Sequence, residues 1–286
     1  MIRTVSINFR PDDGICALML TRLVQFLEGE GITVLLPEYD IIRNDECYRL
    51  AVPFDRFVNS ADLVIVIGGD GTFLRTARIF RETGCPLFGI NRGRLGFLTE
   101  FSPDEYEPYL SGVLRGEYSA VERLVLEAAI FRNGKETESM SFLNDAVIHK
   151  GALMRPIRLD LEIDGNFLSS FTGDGLIMST PTGSTAYSLS AGGPIINPVE
   201  TSIFLLSPIC PHSLAMRPVI IPASSRFCAR VMSDYENLLL TIDGQEGIEI
   251  NGNDEVLIRR SESNIKSITH PEKNYYSILR EKLGWG

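Results

Sequence analysis

The chain has 286 residues, 44% of them hydrophobic, enough for a substantial buried core in one large or two modest domains. Its formal net charge of −10 argues against a broad basic face and a nucleic-acid partner, because such binding runs on phosphate neutralisation. No apolar run approaches the roughly 20 residues of a membrane span, and residues 1–9 alternate like a strand rather than a leader, so a cytoplasmic protein with no membrane partner is expected.

In chain order, residues 4–9, 32–36, 63–67 and 86–90 read as strands, and 15–28 and 72–82 carry helical spacing. Strands that are apolar on both faces and alternate with helices predict an α/β domain built on a parallel sheet. A helix over 103–114 closes that half. Short strands then follow at 121–131, 141–148, 158–163, 176–179, 203–206, 219–221, 227–232, 238–242 and 255–258. Turn signals at Asn133-Gly134, Asp164-Gly165 and Asp243-Gly244 separate several of them, which predicts a β-rich, sandwich-like second domain. A last helix over 275–283 is expected to return to the first domain. The expected division is therefore 1–100 with 270–286, and 101–269. The five cysteines, Cys16, Cys47, Cys85, Cys210 and Cys228, are scattered without ligand spacing and are expected to be reduced and mostly buried.

The first chemical signal is the run 63–72, a buried-looking strand entering Gly68-Gly69-Asp70-Gly71-Thr72 and then a helix. Ligands of open α/β sheets bind at the carboxyl ends of strands. Glycines let the backbone approach a phosphate, and a helix start offers amide hydrogens and a favourable dipole. Gly68, Gly69, Gly71 and Thr72 are thus a candidate phosphate cradle. A carboxylate inside it repels phosphate unless it has a task, such as holding Mg2+ through water or accepting a proton from an attacking hydroxyl. An ordinary strand-to-helix turn satisfies the same local pattern. Neither a Gly-x-x-x-x-Gly-Lys-Ser/Thr loop nor a Gly-x-Gly-x-x-Gly after the first strand is present.

The second signal is Asn144-Asp145 inside the apolar run 142–148. Both are poor strand formers, so their side chains suggest a use, such as ribose hydroxyls or an adenine edge; a bulge or strand end is the plainer reading. The third is 172–194, small and hydroxyl-rich around Asp174 and Tyr187, suited to a flat ligand with a polar edge. Arg75, His149, Lys150 and Arg155 are cations able to meet phosphate, each more often a surface charge. His212 lacks a second His or Cys at ligand spacing, and no direct protein metal ligand is assigned.

Together, Asn91-Arg92-Gly93-Arg94-Leu95-Gly96-Phe97-Leu98, Leu143-Asn144-Asp145, Gly173-Asp174-Gly175, the run 179–187 and Pro211-His212-Ser213-Leu214 resemble the NAD kinase family, within a wider group that shares the Gly-Gly-Asp-Gly-Thr turn with diacylglycerol kinases. The resemblance implies transfer of a phosphoryl group to the 2'-hydroxyl of the adenosine ribose of NAD, giving NADP. ATP or polyphosphate would be the donor, with Mg2+, in a homodimer or homotetramer. It makes Asp70 the proton acceptor and puts Asp70 and Gly71 beside the ribose. It makes Asn144, Asp145, Asp174, Thr185, Ala186, Tyr187, Ser188, Leu189, Ser190, Arg75, Arg155 and Gln245 dinucleotide contacts, with Phe73 and Phe97 packing near the base. Thr172, also placed at the dinucleotide, departs from the pattern, since some bacterial relatives carry arginine there. The rival readings are a non-catalytic dinucleotide sensor and a lipid or sugar kinase of the same group.

Overall fold

The computed structural model describes residues 2–11, 13–38, 46–151, 156–232 and 238–285. It divides into two compact units, residues 1–122 with 265–286, and residues 123–264. In the first unit the elements run β1 (Thr4–Phe9), α1 (Gly14–Gly29), β2 (Thr33–Pro37), β3 (Ala51–Val52), α2 (Phe54–Asn59), β4 (Leu63–Ile67), α3 (Asp70–Phe80), β5 (Leu87–Ile90), α4 (Tyr106–Arg115) and β6 (Ala120–Arg123). Helix α1 starts where the Asp13 carboxylate accepts the Ile15 and Cys16 amides at 3.0 and 3.2 Å. Met19, Leu20, Leu23, Val24 and Leu27 then recur at helical spacing and are buried, each contributing about 1.5–3 kcal/mol of transfer free energy. Leu23→Ala in that row costs about 2–5 kcal/mol. Every residue of β4 is buried, as a central strand covered on both faces requires. The five thiols are free, with Cys16 and Cys47 buried, Cys85 and Cys228 half-buried and Cys210 exposed.

The second unit contains β7 (Leu126–Arg132), β8 (Lys135–Phe142), β9 (Asp145–Lys150), β10 (Ile157–Ile163), β11 (Asn166–Gly173), β12 (Gly175–Ser179), a short helical turn α5 (Tyr187–Ser190), β13 (Ile203–Ile209), β14 (Val219–Pro222), β15 (Phe227–Val231), β16 (Leu238–Ile242), β17 (Glu246–Ile250) and β18 (Glu255–Arg260). They form two antiparallel six-stranded sheets, ordered β11-β10-β15-β18-β7-β8 and β14-β13-β12-β9-β16-β17. Alternate residues from both, such as Leu159, Leu161, Phe227 and Val256 against Ile148, Met178, Phe204 and Leu240, make one buried core. The architecture is the expected one, α/β followed by a β-rich sandwich.

The chain then returns as β19 (Ile265–Ile268) and α6 (Tyr275–Leu283), completing a seven-stranded sheet of order β3-β2-β1-β4-β5-β19-β6. Strand β19 lies parallel to β5, with Ser267 opposite Leu87.

Three expectations are corrected. Helix α3 begins at Asp70 rather than residue 72, which puts the carboxylate in its first turn. The single strand expected over 121–131 is two, because β6 closes the parallel sheet and β7 joins the sandwich. The strand expected over 141–148 breaks at Leu143-Asn144. There the amides of Leu143, Asn144 and Asp145 turn to the Asp243 carboxylate, at 3.3, 2.7 and 3.2 Å.

Candidate active site

Each unit carries its own cavity. In the first, about 350 Å³ is enclosed by Ile15, Gly69, Asp70, Arg92, Arg94, Leu95, Gly96, Thr99 and Lys282. Strand β4 delivers Gly69 and Asp70 to its wall, and the loop after β5 supplies the stretch from Arg92 to Thr99. The Asp70 carboxylate is the hinge of this arrangement. Oδ2 accepts the Phe97 amide at 2.9 Å, while Oδ1 accepts the Leu98 amide at 2.9 Å and the Thr99 amide and hydroxyl at 3.3 Å. A carboxylate offers about four acceptor sites, so Oδ2 keeps capacity for one more donor. Gly96 is required by this closeness, because a Cβ there would overlap Asp70 Oδ1 and Thr99 Oγ1.

Of the candidate phosphate cradle, Gly69 lines the cavity, whereas two amides are already engaged. Gly68 donates to the Ile90 carbonyl at 3.0 Å and Thr72 to the Gly69 carbonyl at 3.0 Å. Gly71 and Arg75 follow on α3 without lining the cavity, and Phe73 is buried in the core beneath it.

In the second unit, Asn144, Asp145, Val147, His149, Ala186, Tyr187, Thr241, Asp243 and Gly244 surround a cavity of about 300 Å³. Asp145 is 5% exposed, and its pKa is pushed up to about 7, first by burial and then by the charge of Asp243, against the opposing Tyr187 amide. His149 Nδ1 donates to the Lys150 carbonyl at 2.9 Å, and Nε2 lies 2.7 Å from the Thr241 hydroxyl. The turn 182–185 packs so closely that a Cβ on Gly183 would overlap the Asn144 carbonyl. Tyr187 is 47% exposed, its ring available to a flat ligand.

The structure therefore brings Asn144, Asp145, His149, Ala186 and Tyr187 together. Thr185, Ser188, Leu189 and Ser190 flank Tyr187 but do not line the cavity, and Ser188 is buried against Ser207 at 2.8 Å. Asp174 pairs with Lys150 at 2.7 Å. The Thr172 carbonyl accepts the His212 amide at 2.9 Å. Gln245 is exposed just beyond the Asp243-Gly244 turn, and Arg155 lies outside the described residues. Sequence reasoning missed Asp243 and Thr241, the first because it reads as a hairpin signal; its φ of 49° and the following Gly244 at 65° fit that turn as well. It also missed Ile15, Arg92, Arg94, Thr99 and Lys282 as cavity residues.

Among the described residues, no group of three or more His, Cys, Asp or Glu side chains is placed to hold a metal ion. Magnesium asks for less when phosphates share its coordination, since one carboxylate with phosphate oxygens and waters suffices. Asp70, with its spare Oδ2 acceptor site in the first cavity, fits that donor set; Asp13 is held by its ion pair to Arg92.

The ATP-NAD kinase N-terminal domain model matches residues 9–118 and the ATP-NAD kinase C-terminal domain model matches residues 143–270. The chain belongs to the NAD kinase family. The NAD kinase of Geotalea daltonii is 40% identical over 285 residues, covering all of this chain and 99% of that one. A solved yeast NADH kinase, complexed with NADH, is 29% identical with a TM-score of 0.90 and covers all of this chain and 88% of that one. The NAD kinase fold also extends to a structure from Archaeoglobus fulgidus, solved with ATP, at 24% identity and a TM-score of 0.76; it covers 99% of this chain and all of that one.

Proposed function

We propose that the chain is an NAD kinase that moves the terminal phosphoryl group of ATP to the 2'-hydroxyl of the adenosine ribose of NAD. The observation that carries this reading is the Asp70 carboxylate, fixed by three backbone amides at the start of α3 on the wall of a cavity that also presents Arg92, Arg94 and Lys282. A fixed carboxylate with a spare acceptor site is suited to orient a hydroxyl and take its proton as the oxygen attacks phosphorus. The helix start beside it favours the negative charge that spreads over the transferring group.

In the second unit the Asn144 side chain, the Asp145 carboxylate and the Tyr187 ring provide amide, hydroxyl-acceptor and stacking groups for the dinucleotide. Asp174, the residues from Thr185 to Ser190, Arg75, Arg155, Thr172 and Gln245 are proposed as further contacts. A magnesium ion held by the donor's phosphates and waters would supply charge neutralisation, leaving the spare acceptor site of Asp70 to the hydroxyl. The proposed setting is the cytoplasm and the proposed assembly a homo-oligomer.

The test is incubation with Mg2+, ATP and NAD, with NADP read by an NADP-specific dehydrogenase and with NADH and polyphosphate in parallel. NADP formation that is lost in Asp70→Asn supports both the reaction and the base. NAD binding with no product from any donor would make the chain a dinucleotide sensor.

A further inference from the structure

Lys282 belongs to a part of the sequence to which no chemistry is attached. It stands on α6, near the end of the chain, yet it lines the same cavity as Gly69 and Asp70. Its ammonium donates to the Leu95 carbonyl at 3.1 Å and lies 5.8 Å from the centre of the Phe97 ring. The position is held by the fold. The Asn274 carboxamide caps α6 by accepting the Ser277 amide at 2.9 Å, Ile278 and Leu279 are buried, and Gly284 ends the helix at φ 66° with the Trp285 amide returning to the Arg280 carbonyl at 3.0 Å. Because β19 pairs with β5, α6 enters beside the loop that follows β5.

The charge of the cavity decides what it accepts. Arg92 is matched by Asp13, which leaves Arg94 and Lys282 against one carboxylate, that of Asp70, among the described residues of the wall. Arg94 makes no hydrogen bond or ion pair among the described residues. The first turns of α1 and α3 contribute Ile15, Gly69 and Asp70 to the wall, so two helix starts add positive potential. In a chain of net charge −10 this is a local reversal of sign. Among the described residues of the wall, the apolar side chains are Ile15 and Leu95, and none is aromatic.

We infer that Lys282 is a direct ligand of the donor's phosphate chain, and that it exchanges the Leu95 carbonyl for a phosphate oxygen when the donor binds. This rests on the kinase reading for its purpose, though the anion site stands on the cavity alone. The exchange replaces a neutral acceptor by a charged one, which strengthens the hydrogen bond. A lysine on a flexible stem is suited to swing between the two. The shared chemistry is a linear phosphate chain, carried by a nucleoside triphosphate or by inorganic polyphosphate.

The test is titration calorimetry of the full chain with Mg-ATP and with inorganic tripolyphosphate, at two salt concentrations, on wild type and on Lys282→Ala, Lys282→Gln and Lys282→Arg. Glutamine keeps a donor for the Leu95 carbonyl while removing the charge, so it separates a phosphate ligand from a loop tether. Loss of one charge-assisted hydrogen bond should weaken both ligands about tenfold or more in the alanine and glutamine variants, with a shallower salt dependence. Arginine should recover most of the affinity. In kinetics the KM for ATP should rise by the same factor, with the KM for NAD unchanged. Wild-type affinity for tripolyphosphate in folded Lys282→Gln would overturn the inference, as would a loss confined to ATP. If wild type binds tripolyphosphate through Lys282 but makes no NADP, the kinase reading fails and the anion site remains. If NADP is made and Lys282→Gln is kinetically wild type, the reverse holds.

Discussion

The Leu98 amide donates to Asp70 Oδ1 at 2.9 Å, so the carboxylate at the start of α3 also fixes the loop that follows β5. The proposed base and the anchor of the loop are therefore one side chain. Asp70→Asn is expected to lower kcat about a hundredfold or more, as loss of a general base does, while NAD binding is retained. It should also cost about 1–3 kcal/mol, because the new amide turns a donor toward one of the loop amides. Steady-state kinetics with a urea unfolding curve checks both; a variant as active as wild type removes Asp70 from the chemistry.

Gly96→Ala tests the same geometry from the other side. Its methyl would overlap Asp70 Oδ1 and Thr99 Oγ1, so the carboxylate must move. Displacement of about 1 Å can cost about a hundredfold in rate. The expected result is a large fall in kcat with the KM for NAD little changed.

The raised pKa of Asp145 makes stability depend on pH. The folded value, about 7, lies above the ordinary aspartate value of 3.8, so between these two the folded state holds more protons than the unfolded one. Stability thus falls as pH rises through this window and levels off above it, by an amount on the order of a few kcal/mol. Asp145→Asn should flatten the profile of Tm against pH from 4 to 8 and be the more stable protein at pH 8. Asp243→Asn, which removes the neighbouring charge, should move the wild-type inflection to lower pH. A wild-type profile that is already flat across the window would contradict the burial argument.

Gly183→Ala addresses the wall of the second cavity. The added methyl meets the Asn144 carbonyl, itself bonded to the Thr180 amide at 2.9 Å. Overpacking of this kind costs about 1–3 kcal/mol. A lowered urea midpoint together with weaker NAD binding is expected, since Asn144 cannot shift without leaving the cavity.

The sequence made the architecture legible where one physical signal dominated. β1, β4 and α6 were bounded correctly because their apolar spacing is unambiguous. β11 and β17 were missed because Ser169, Ser170 and Gly173 in one, and Gly247 between glutamates in the other, weaken any strand pattern that pairing later supplies. Two poor strand formers in an apolar run mark the break at Asn144, yet its cause, Asp243, is about a hundred residues away along the chain. Arg92 and Arg94 lie in the run 91–98, where no local rule marks them as cavity residues.

Lys282 and Leu95 are 187 residues apart in sequence and meet at 3.1 Å. The sheet begun by β1 is finished only after the whole second unit has been made. During synthesis the ribosome releases Asp70 and its loop long before α6 exists, so a nascent or stalled chain holds the carboxylate without the lysine that completes its cavity. Such long-range closure is also slow to form. A protease that removes α6 would leave the loop from Arg92 to Thr99 intact in sequence yet open the cavity that loop shares with Lys282.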